Sequence, residues 1–250
     1  MVPRGTGFFV SLAWQRPDPL TREVPDRKFV YLVTARHVIA GIIASSSDPV
    51  IHVRINRADG GWTCLDTTPT QWVFPSDDSI VTDVAAMLWN PKQPELLRLT
   101  HVPTDLFATE DMIADGRIGL GDELFIPGLF SRHVETFENV PIIRIGNIAA
   151  MPGEPVKTGL GLIRAYLVET RSIGGLSGAP AFLFDATTNR FLLLGLIHGH
   201  WDTRIESGTP SSATPDQGEA VNMGISIVIP SEQIAILLNE PAFRKVREDA

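Results

Sequence analysis

The segment RSIGGLSGAPAF, Arg171 to Phe182, places a single serine between glycines, with Pro180 shortly after it. Glycine-flanked serines are common in tight turns, so this pattern alone favours a structural role for Ser177. A serine hydroxyl becomes a nucleophile only beside a base, and that base needs a further group to orient it. The role of Ser177 therefore depends on residues elsewhere in the chain.

Composition indicates a globular chain of one large or two small domains. Hydrophobic residues make up 44% and charged residues 20% of the 250 positions, which excludes a disordered protein. The net charge is −8 and no basic cluster stands out, so we expect no nucleic-acid partner. The first residues lack the apolar run of a signal peptide, and no window reaches membrane-spanning length. We therefore expect no membrane partner and a cytoplasmic location.

The chain favours β-structure almost throughout. Short apolar or alternating runs such as FVYLVTA, AAMLW and RFLLLGLIHG end at Gly, Pro, Asp, Asn or Ser, which is typical of sandwiches and barrels. Residues around 92–118 carry less strand signal and are predicted to connect two β halves. The segment SEQIAILLNEPAFRKV predicts a short C-terminal helix, with Ser231 as its N-cap and an interruption at Pro241. The polar segment WDTRIESGTPSSATPDQGEA predicts a long exposed loop.

Two residues could complete a catalytic set with Ser177. His37, in FVYLVTARHVIAG, comes directly after an apolar strand and is expected at the strand end on a short turn. Asp83 directly precedes the apolar run VAAMLW, whereas Asp77 and Asp78 lie in the turn-like run PSDDS. Each residue has an ordinary structural explanation, but together they supply base, acid and nucleophile in a recognisable chain order.

Six segments of the chain carry a resemblance to one family. They are GTGFFV (Gly5–Val10), YLVTARHVI (Tyr31–Ile39), TDVAAMLW (Thr82–Trp89), GDELFIPGLF (Gly121–Phe130), GGLSGAPAF (Gly174–Phe182) and LLGLIHG (Leu193–Gly199). In this order they resemble the signature segments of chymotrypsin-like serine peptidases, most closely the bacterial trypsin-like peptidase domains, which lack disulfides. The single cysteine, Cys64, agrees with that subgroup.

The resemblance implies an all-β fold of two antiparallel β-barrels of the chymotrypsin type, followed by the short C-terminal helix. Residues 1–105 would form the N-terminal barrel, which carries His37 and Asp83. Residues 106–250 would form the C-terminal barrel with Ser177, plus the helix. An α/β-hydrolase is excluded, because there the nucleophile precedes the acid and the histidine along the chain.

The resemblance also implies a function, that of a serine endopeptidase working through a Ser-His-Asp triad and an acyl-enzyme. Ser177 would attack, His37 would move the proton, Asp83 would orient His37, and the amides of Gly175 and Ser177 would bind the oxyanion. Leu176 stands where secreted digestive members have an aspartate that pairs with a newly cleaved N-terminus. Activation by such cleavage is therefore not expected, and whether the protein is constitutively active stays open.

Substrate recognition leaves two alternatives at the sequence level. The resemblance gives a specificity pocket roughly three walls: Thr170–Gly174, Ile197–His200 and Asn222–Gly224. Arg171, His198 and His200 could make this pocket favour an acidic residue. Alternatively, Arg171 faces solvent or pairs with Glu169, which would leave a small or apolar pocket.

The remaining expectations concern cofactors and partners. His198 and His200 form an isolated His-x-His without a neighbouring ligand pair, so the sequence predicts no metal site, and no cofactor motif is recognised. The expected partner is a protein or peptide substrate, and any regulatory protein is unknown. The alternative function is a catalytically silent or partner-activated protease-like binding module.

Overall fold

Fourteen strands and four α-helices account for most of the described chain. The computed structural model describes residues 3–14, 27–76, 81–131, 134–170, 175–205 and 219–249. Asp77, Asp78 and Arg171, which the sequence analysis considered, lie outside these ranges.

The first part of the chain contributes six strands and one helix. These are β1 (Phe8–Trp14), β2 (Arg27–Thr34), α1 (Arg36–Ala44), β3 (Ile51–Asn56), β4 (Trp62–Thr67), β5 (Ala85–Leu88) and β6 (His101–Pro103). The second part contributes eight strands and three helices. These are α2 (Glu110–Ala114), β7 (Glu123–Gly128), β8 (Ile142–Ala150), β9 (Val156–Thr158), β10 (Gly161–Ile163), β11 (Tyr166–Glu169), β12 (Pro180–Asp185), β13 (Arg190–Ile205), β14 (Glu219–Pro230), α3 (Ser231–Leu238) and α4 (Pro241–Glu248).

The second part closes into an antiparallel barrel. Its six strands follow the order β11-β14-β13-β12-β7-β8, and the last strand pairs with the first. Leu124, Ile126 and Leu183 alternate with more exposed neighbours along β7 and β12, so one face of each strand fills the barrel interior. The predicted β-barrel of the second half is therefore confirmed.

The first part forms a sheet and a separate hairpin. The sheet has the order β5-β2-β1-β6, and β3 pairs only with β4 among the described strands. Ile51 and Ile55 of the hairpin pack against Leu32 and Met87 of the sheet, so the two layers share a core without sharing a hydrogen-bonded edge. The described residues thus do not show the second closed barrel that the resemblance implied. The boundary between residues 105 and 106 stays a prediction.

A third core lies between the two halves. Val10 and Tyr31 of the first sheet meet Leu193 and Ile229 of the barrel in one buried cluster. The same cluster includes Leu237 of α3, so the C-terminal helices help to cover the junction. This junction positions the ends of β2 and β5 beside the turn that precedes β12.

Three local predictions need correction. His37 does not lie on a short turn but in the first turn of α1, a nine-residue helix. Ser231 is the first residue of α3 and not its N-cap; its hydroxyl donates to the carbonyl of Ala108, because the helix start packs against the connector. The predicted loop over 201–220 is strand at both ends, where β13 and β14 pair through Arg204↔Ala220, and residues 206–218 are outside the described ranges.

No helix of the described chain has both the length and the apolar character needed to cross a membrane.

Candidate active site

His37 is held at the start of α1 by a carboxylate from another element. Ala35, the N-cap residue, makes no side-chain hydrogen bond. Instead the backbone N–H of His37 donates to Oδ1 of Asp83 at 2.8 Å. A carboxylate at this position satisfies a free amide of the first helical turn and interacts favourably with the helix dipole. This contact fixes the start of the helix and, with it, the backbone position from which the His37 imidazole projects.

Asp83 is completely buried and anionic. Its Oδ2 accepts a hydrogen bond from Nδ1 of His37 at 2.7 Å and a second from Nδ1 of His198 at 2.5 Å. Burial raises the pKa of Asp83, but the hydrogen bonds from His198 and His37 and their nearby charges outweigh it, so the pKa is lowered overall. Because an ionised carboxylate only accepts, each imidazole carries a proton on Nδ1. Nε2 of His37 is then free to accept a proton when His37 is neutral.

His198 reaches Asp83 from β13 in the barrel. The pairing of β13 with β14 shifts register between Ile197 and Gly199, which places His198 at a bulge. Its ring lies edge-to-face with that of His37, with centroids 5.3 Å apart. The sequence analysis placed His198 in the specificity pocket and did not foresee this contact with Asp83. A histidine directly after a buried apolar strand was the available signal.

Ser177 lies in a turn whose backbone geometry requires glycine. Gly175 and Gly178 have φ angles of 102° and 83°. A Cβ on Gly178 would lie 2.3 Å from the Thr34 hydroxyl. Among the described residues, neither the Gly175 nor the Ser177 amide has a hydrogen-bond acceptor. These two amides are the donors that the sequence analysis assigned to the oxyanion.

The hydroxyl of Ser177 donates to the carbonyl of His198 at 3.3 Å. Within the described part of the chain it makes no hydrogen bond to His37. The structure thus joins His37, Asp83 and His198 directly, and it connects Ser177 to this group through the backbone of His198. Nucleophile–base hydrogen bonds are often looser in structures without substrate.

Thr6 connects the Ser177 turn to the first half of the molecule. Its hydroxyl donates to the Gly175 carbonyl at 2.6 Å and accepts from the Leu129 amide at 3.0 Å. Its own amide donates to the Ser177 carbonyl at 2.8 Å, and its carbonyl accepts from the Thr34 hydroxyl at 2.7 Å. Thr6 therefore fixes both ends of the Gly175–Ser177 segment. The sequence analysis quoted GTGFFV but gave Thr6 no role.

The proposed pocket walls come from neighbouring strands of the barrel. His200 pairs with Ser226 across β13 and β14, and the Thr170 amide donates to the Gly224 carbonyl at 2.8 Å. Glu169 is exposed. Arg171 is outside the described residues, so its part in the pocket stays a prediction.

Within the part of the chain that the structure describes, two groups of side chains present donor atoms close enough together to hold a metal ion. One is His37, Asp83 and His198, and the other is the exposed group His52, Cys64 and Asp66 on the β3–β4 hairpin. No metal site was expected from the sequence, because His198 and His200 form an isolated His-x-His without a neighbouring ligand pair. Neither group contains that pair, and only His198 of the two histidines belongs to one.

Two searches by sequence give no relatives. No protein-family model matches the chain, and no curated protein matches it.

Solved structures do match. The protease domain of MamO from Magnetospirillum magneticum, in its apo form, has a TM-score of 0.51 at 14% identity, covering 96% of this chain and 98% of that one. The chain has a chymotrypsin-like protease fold. An inactive serine-to-alanine form of Rv3671c from M. tuberculosis matches with a TM-score of 0.43 and 16% identity over 86% and 80% of the two chains. The NS6 protease of murine norovirus 1 matches with a TM-score of 0.39 and 10% identity, covering 80% of each chain.

Proposed function

We propose that this protein is a serine endopeptidase that cleaves protein or peptide substrates through an acyl-enzyme. The observation that carries the proposal is the buried Asp83 carboxylate, which holds both the backbone amide and Nδ1 of His37. This fixes the His37 tautomer that a general base needs. It does so beside a serine turn in which the Gly175 and Ser177 amides have no hydrogen-bond acceptor among the described residues.

The chemistry follows from these positions. The Ser177 hydroxyl turns from the His198 carbonyl towards His37 and attacks the substrate carbonyl carbon, while Nε2 of His37 takes its proton. Asp83 stays ionised and stabilises the imidazolium that results. The imidazolium gives the proton to the leaving amine, and water then releases the acyl group by the same steps.

The oxyanion of the tetrahedral intermediate would lie between the Gly175 and Ser177 amides. Preorganised backbone donors stabilise such a charge strongly, and losing one typically lowers turnover by about 10²–10³. The hydrogen bonds made by Thr6 support this assignment, because they hold in place the segment that bears both amide donors.

The test is labelling with a serine-reactive fluorophosphonate, combined with a peptide-cleavage assay. Wild type should be labelled at Ser177, and Ser177→Ala should remove both labelling and cleavage while the protein stays folded. Ser45→Ala, at the exposed end of α1, is the matched control and should behave as wild type. Cleavage that persists in Ser177→Ala would refute the triad.

One observation favours a second function, a catalytically silent or partner-activated binding module. The Ser177 hydroxyl is hydrogen-bonded to a backbone carbonyl and not to His37. If this arrangement persists, wild type will resist the fluorophosphonate even though it binds a peptide ligand beside the Ser177 turn. Labelling that appears only after a peptide or protein is added would indicate partner activation.

The residue preferred before the cleaved bond is tested with a peptide library. Of the three basic residues considered for the pocket, the His198 ring is held by Asp83, so we propose that Arg171 and His200 supply the positive charge. Such a basic pocket predicts enrichment of Asp and Glu at that position, and Arg171→Ala should remove the enrichment. An unchanged profile in this variant would instead support the small or apolar pocket, with Arg171 facing solvent or paired with Glu169.

A further inference from the structure

Three donor atoms converge where His37, Asp83 and His198 meet. Nδ1 of His37 and Nδ1 of His198 lie 2.7 and 2.5 Å from the same Asp83 oxygen. The group meets the spacing needed for a shared ion, since its ligand atoms all lie within 4.8 Å of one another. We infer that this cluster is a binding site for a divalent transition metal of the zinc class.

The donor set selects the class of ion. Two imidazole nitrogens and one carboxylate oxygen, with a fourth position left for water, form a typical three-ligand zinc site. Magnesium and calcium prefer oxygen ligands in larger numbers, so they are not expected to bind here. In a tetrahedral zinc site, ligand atoms about 2.0–2.1 Å from the metal lie roughly 3.3 Å from each other. To bind zinc, each Nδ1 must therefore move away from Oδ2, so that its distance from that oxygen grows by more than half an ångström, from 2.7 or 2.5 Å to roughly 3.3 Å.

The surroundings hold the carboxylate of Asp83 in place but leave room for the two imidazole rings to move. Asp83 is fully buried, and its second oxygen is fixed by the His37 amide, so the carboxylate keeps its direction. The His37 side chain is 31% exposed and the His198 side chain 12% exposed, which leaves both rings next to solvent. His198 also lies at a bulge, where the regular pairing of β13 with β14 is interrupted. A fixed carboxylate between two adjustable imidazoles resembles a metal site whose outer contacts are already in place.

Metal binding would also inhibit peptide cleavage, a consequence that rests on the proposed function. For both imidazoles to bind the ion, each Nδ1 first loses its proton to solvent and Nε2 of the same ring takes one up, so that the lone pair freed on each Nδ1 can coordinate the metal. No covalent bond to carbon changes, but Nε2 can no longer accept the proton of Ser177. The site would thus make zinc a reversible inhibitor.

The experiment is calorimetric titration of tag-free, metal-free protein with zinc chloride near neutral pH. All proteins carry His52→Gln, because the exposed group of His52, Cys64 and Asp66 could otherwise bind zinc as well. We expect one zinc per chain and no binding of magnesium. His198→Asn should weaken zinc binding by more than about tenfold, although its amide can still donate to Asp83.

A second variant and a second readout keep the test decisive. Thermal melting of the metal-free proteins checks that His198→Asn is folded, and His37→Asn, which removes the other imidazole, should weaken binding in the same way. Cobalt(II) in place of zinc should give the absorption of a low-coordinate nitrogen and oxygen site in the parent, and neither variant should show it.

The outcomes separate the two proposals. No zinc binding by the parent, or equal affinity in the parent and both variants, would overturn the metal site. Zinc binding by a protein that cleaves no peptide would leave the site in place and overturn only the proposed function. Cleavage that continues with the site saturated would overturn the inhibition.

Discussion

The two oxygen atoms of Asp83 accept three hydrogen bonds, two from His37 and one from His198. One oxygen caps α1 through the His37 amide, and the other accepts from two imidazoles. Its full burial means that water cannot replace any lost donor, so each contact depends on the carboxylate remaining charged. This concentration of roles makes Asp83 the most informative position for mutation.

Replacing Asp83 with asparagine should lower peptide turnover by about 10⁴ at neutral pH. The amide nitrogen of asparagine would favour the wrong tautomer of His37, although the side-chain shape is preserved. Asp66→Asn is the matched control, since Asp66 also accepts from a histidine, His52, but on an exposed hairpin. Turnover should be unchanged in that control. Equal rates in the two variants would contradict the role given to Asp83.

Asp83 should also make the fold sensitive to acid. Burial raises the pKa of Asp83 in the folded protein, but the hydrogen bonds from His198 and His37 together with their charges lower it by more, so the pKa lies below the ordinary 3.8. A lowered folded pKa stabilises the protein fully above the unfolded value, and this stabilisation is lost as pH falls through the folded value. Denaturant unfolding from pH 6 down to pH 2 should show a steeper loss of stability below about pH 4 in wild type than in Asp83→Asn. Parallel curves would count against this explanation.

The sequence could predict that His37 and Asp83 meet, but not that His198 joins them. The first two stand at the edges of apolar strands, where residue type and chain order carry information. His198 also follows an apolar run, yet 115 residues separate it from Asp83. Nothing local indicates which carboxylate a histidine will meet once the barrel closes, so its assignment to the substrate pocket came only from the resemblance.

At the scale of the element, the Ser177 turn is shaped by the segment that crosses it. Thr6 contacts the carbonyls at both ends of Gly175–Ser177, and Gly5 approaches so closely that a Cβ there would lie 2.8 Å from the Ser177 carbonyl oxygen. The turn therefore does not depend on its own residues alone. The strand pattern predicted the strands on either side of it, but such cross-chain contacts leave no periodic signal in a sequence.

Thr6→Val should keep the shape of the side chain and lose its hydroxyl. The Gly175 carbonyl and the Leu129 amide, both partly buried, would then lack their partner. Each loss should cost about 1 kcal/mol, the lower end of the range for buried groups. We expect turnover to fall by roughly tenfold to a hundredfold through a loosened oxyanion turn, with KM changed much less. Thr6→Ser retains the hydroxyl and should recover most of the activity. Failure of serine to rescue would show that the methyl group, and not the hydrogen bonds, matters.

At the scale of the whole molecule, the two halves exchange their terminal segments. Thr6 reaches the serine turn of the second half, whereas α4 returns to the first half. There Phe243 meets Tyr31 edge-to-face at 4.9 Å, and Arg247 donates to the Tyr31 hydroxyl at 2.7 Å. Phe243 and Arg247 are four residues apart and so share the inward face of α4. The apolar periodicity of SEQIAILLNEPAFRKV predicted one C-terminal helix interrupted at Pro241, but not that a second helix begins there and packs on Tyr31.

Arg247→Ala should destabilise the whole protein by about 2–4 kcal/mol, because it removes a buried side chain and leaves the Tyr31 hydroxyl and the Leu238 carbonyl without their donor. Arg244→Ala, on the exposed side of the same helix, is the control and should change stability by less than about 0.5 kcal/mol. Denaturant unfolding monitored by tryptophan fluorescence measures both. A similar effect of the two substitutions would show that α4 is not anchored through Arg247.

The exchange of terminal segments has a consequence for biosynthesis. As the chain leaves the ribosome, Thr6 emerges early but finds no partner until Gly175 and Ser177 follow it. Residues of α4 emerge later still, and only then is Tyr31 covered. A nascent chain therefore cannot assemble the serine turn before Gly175 and Ser177 have been synthesised. Translation itself would therefore delay assembly of the serine turn until the segment that bears Gly175 and Ser177 has left the ribosome.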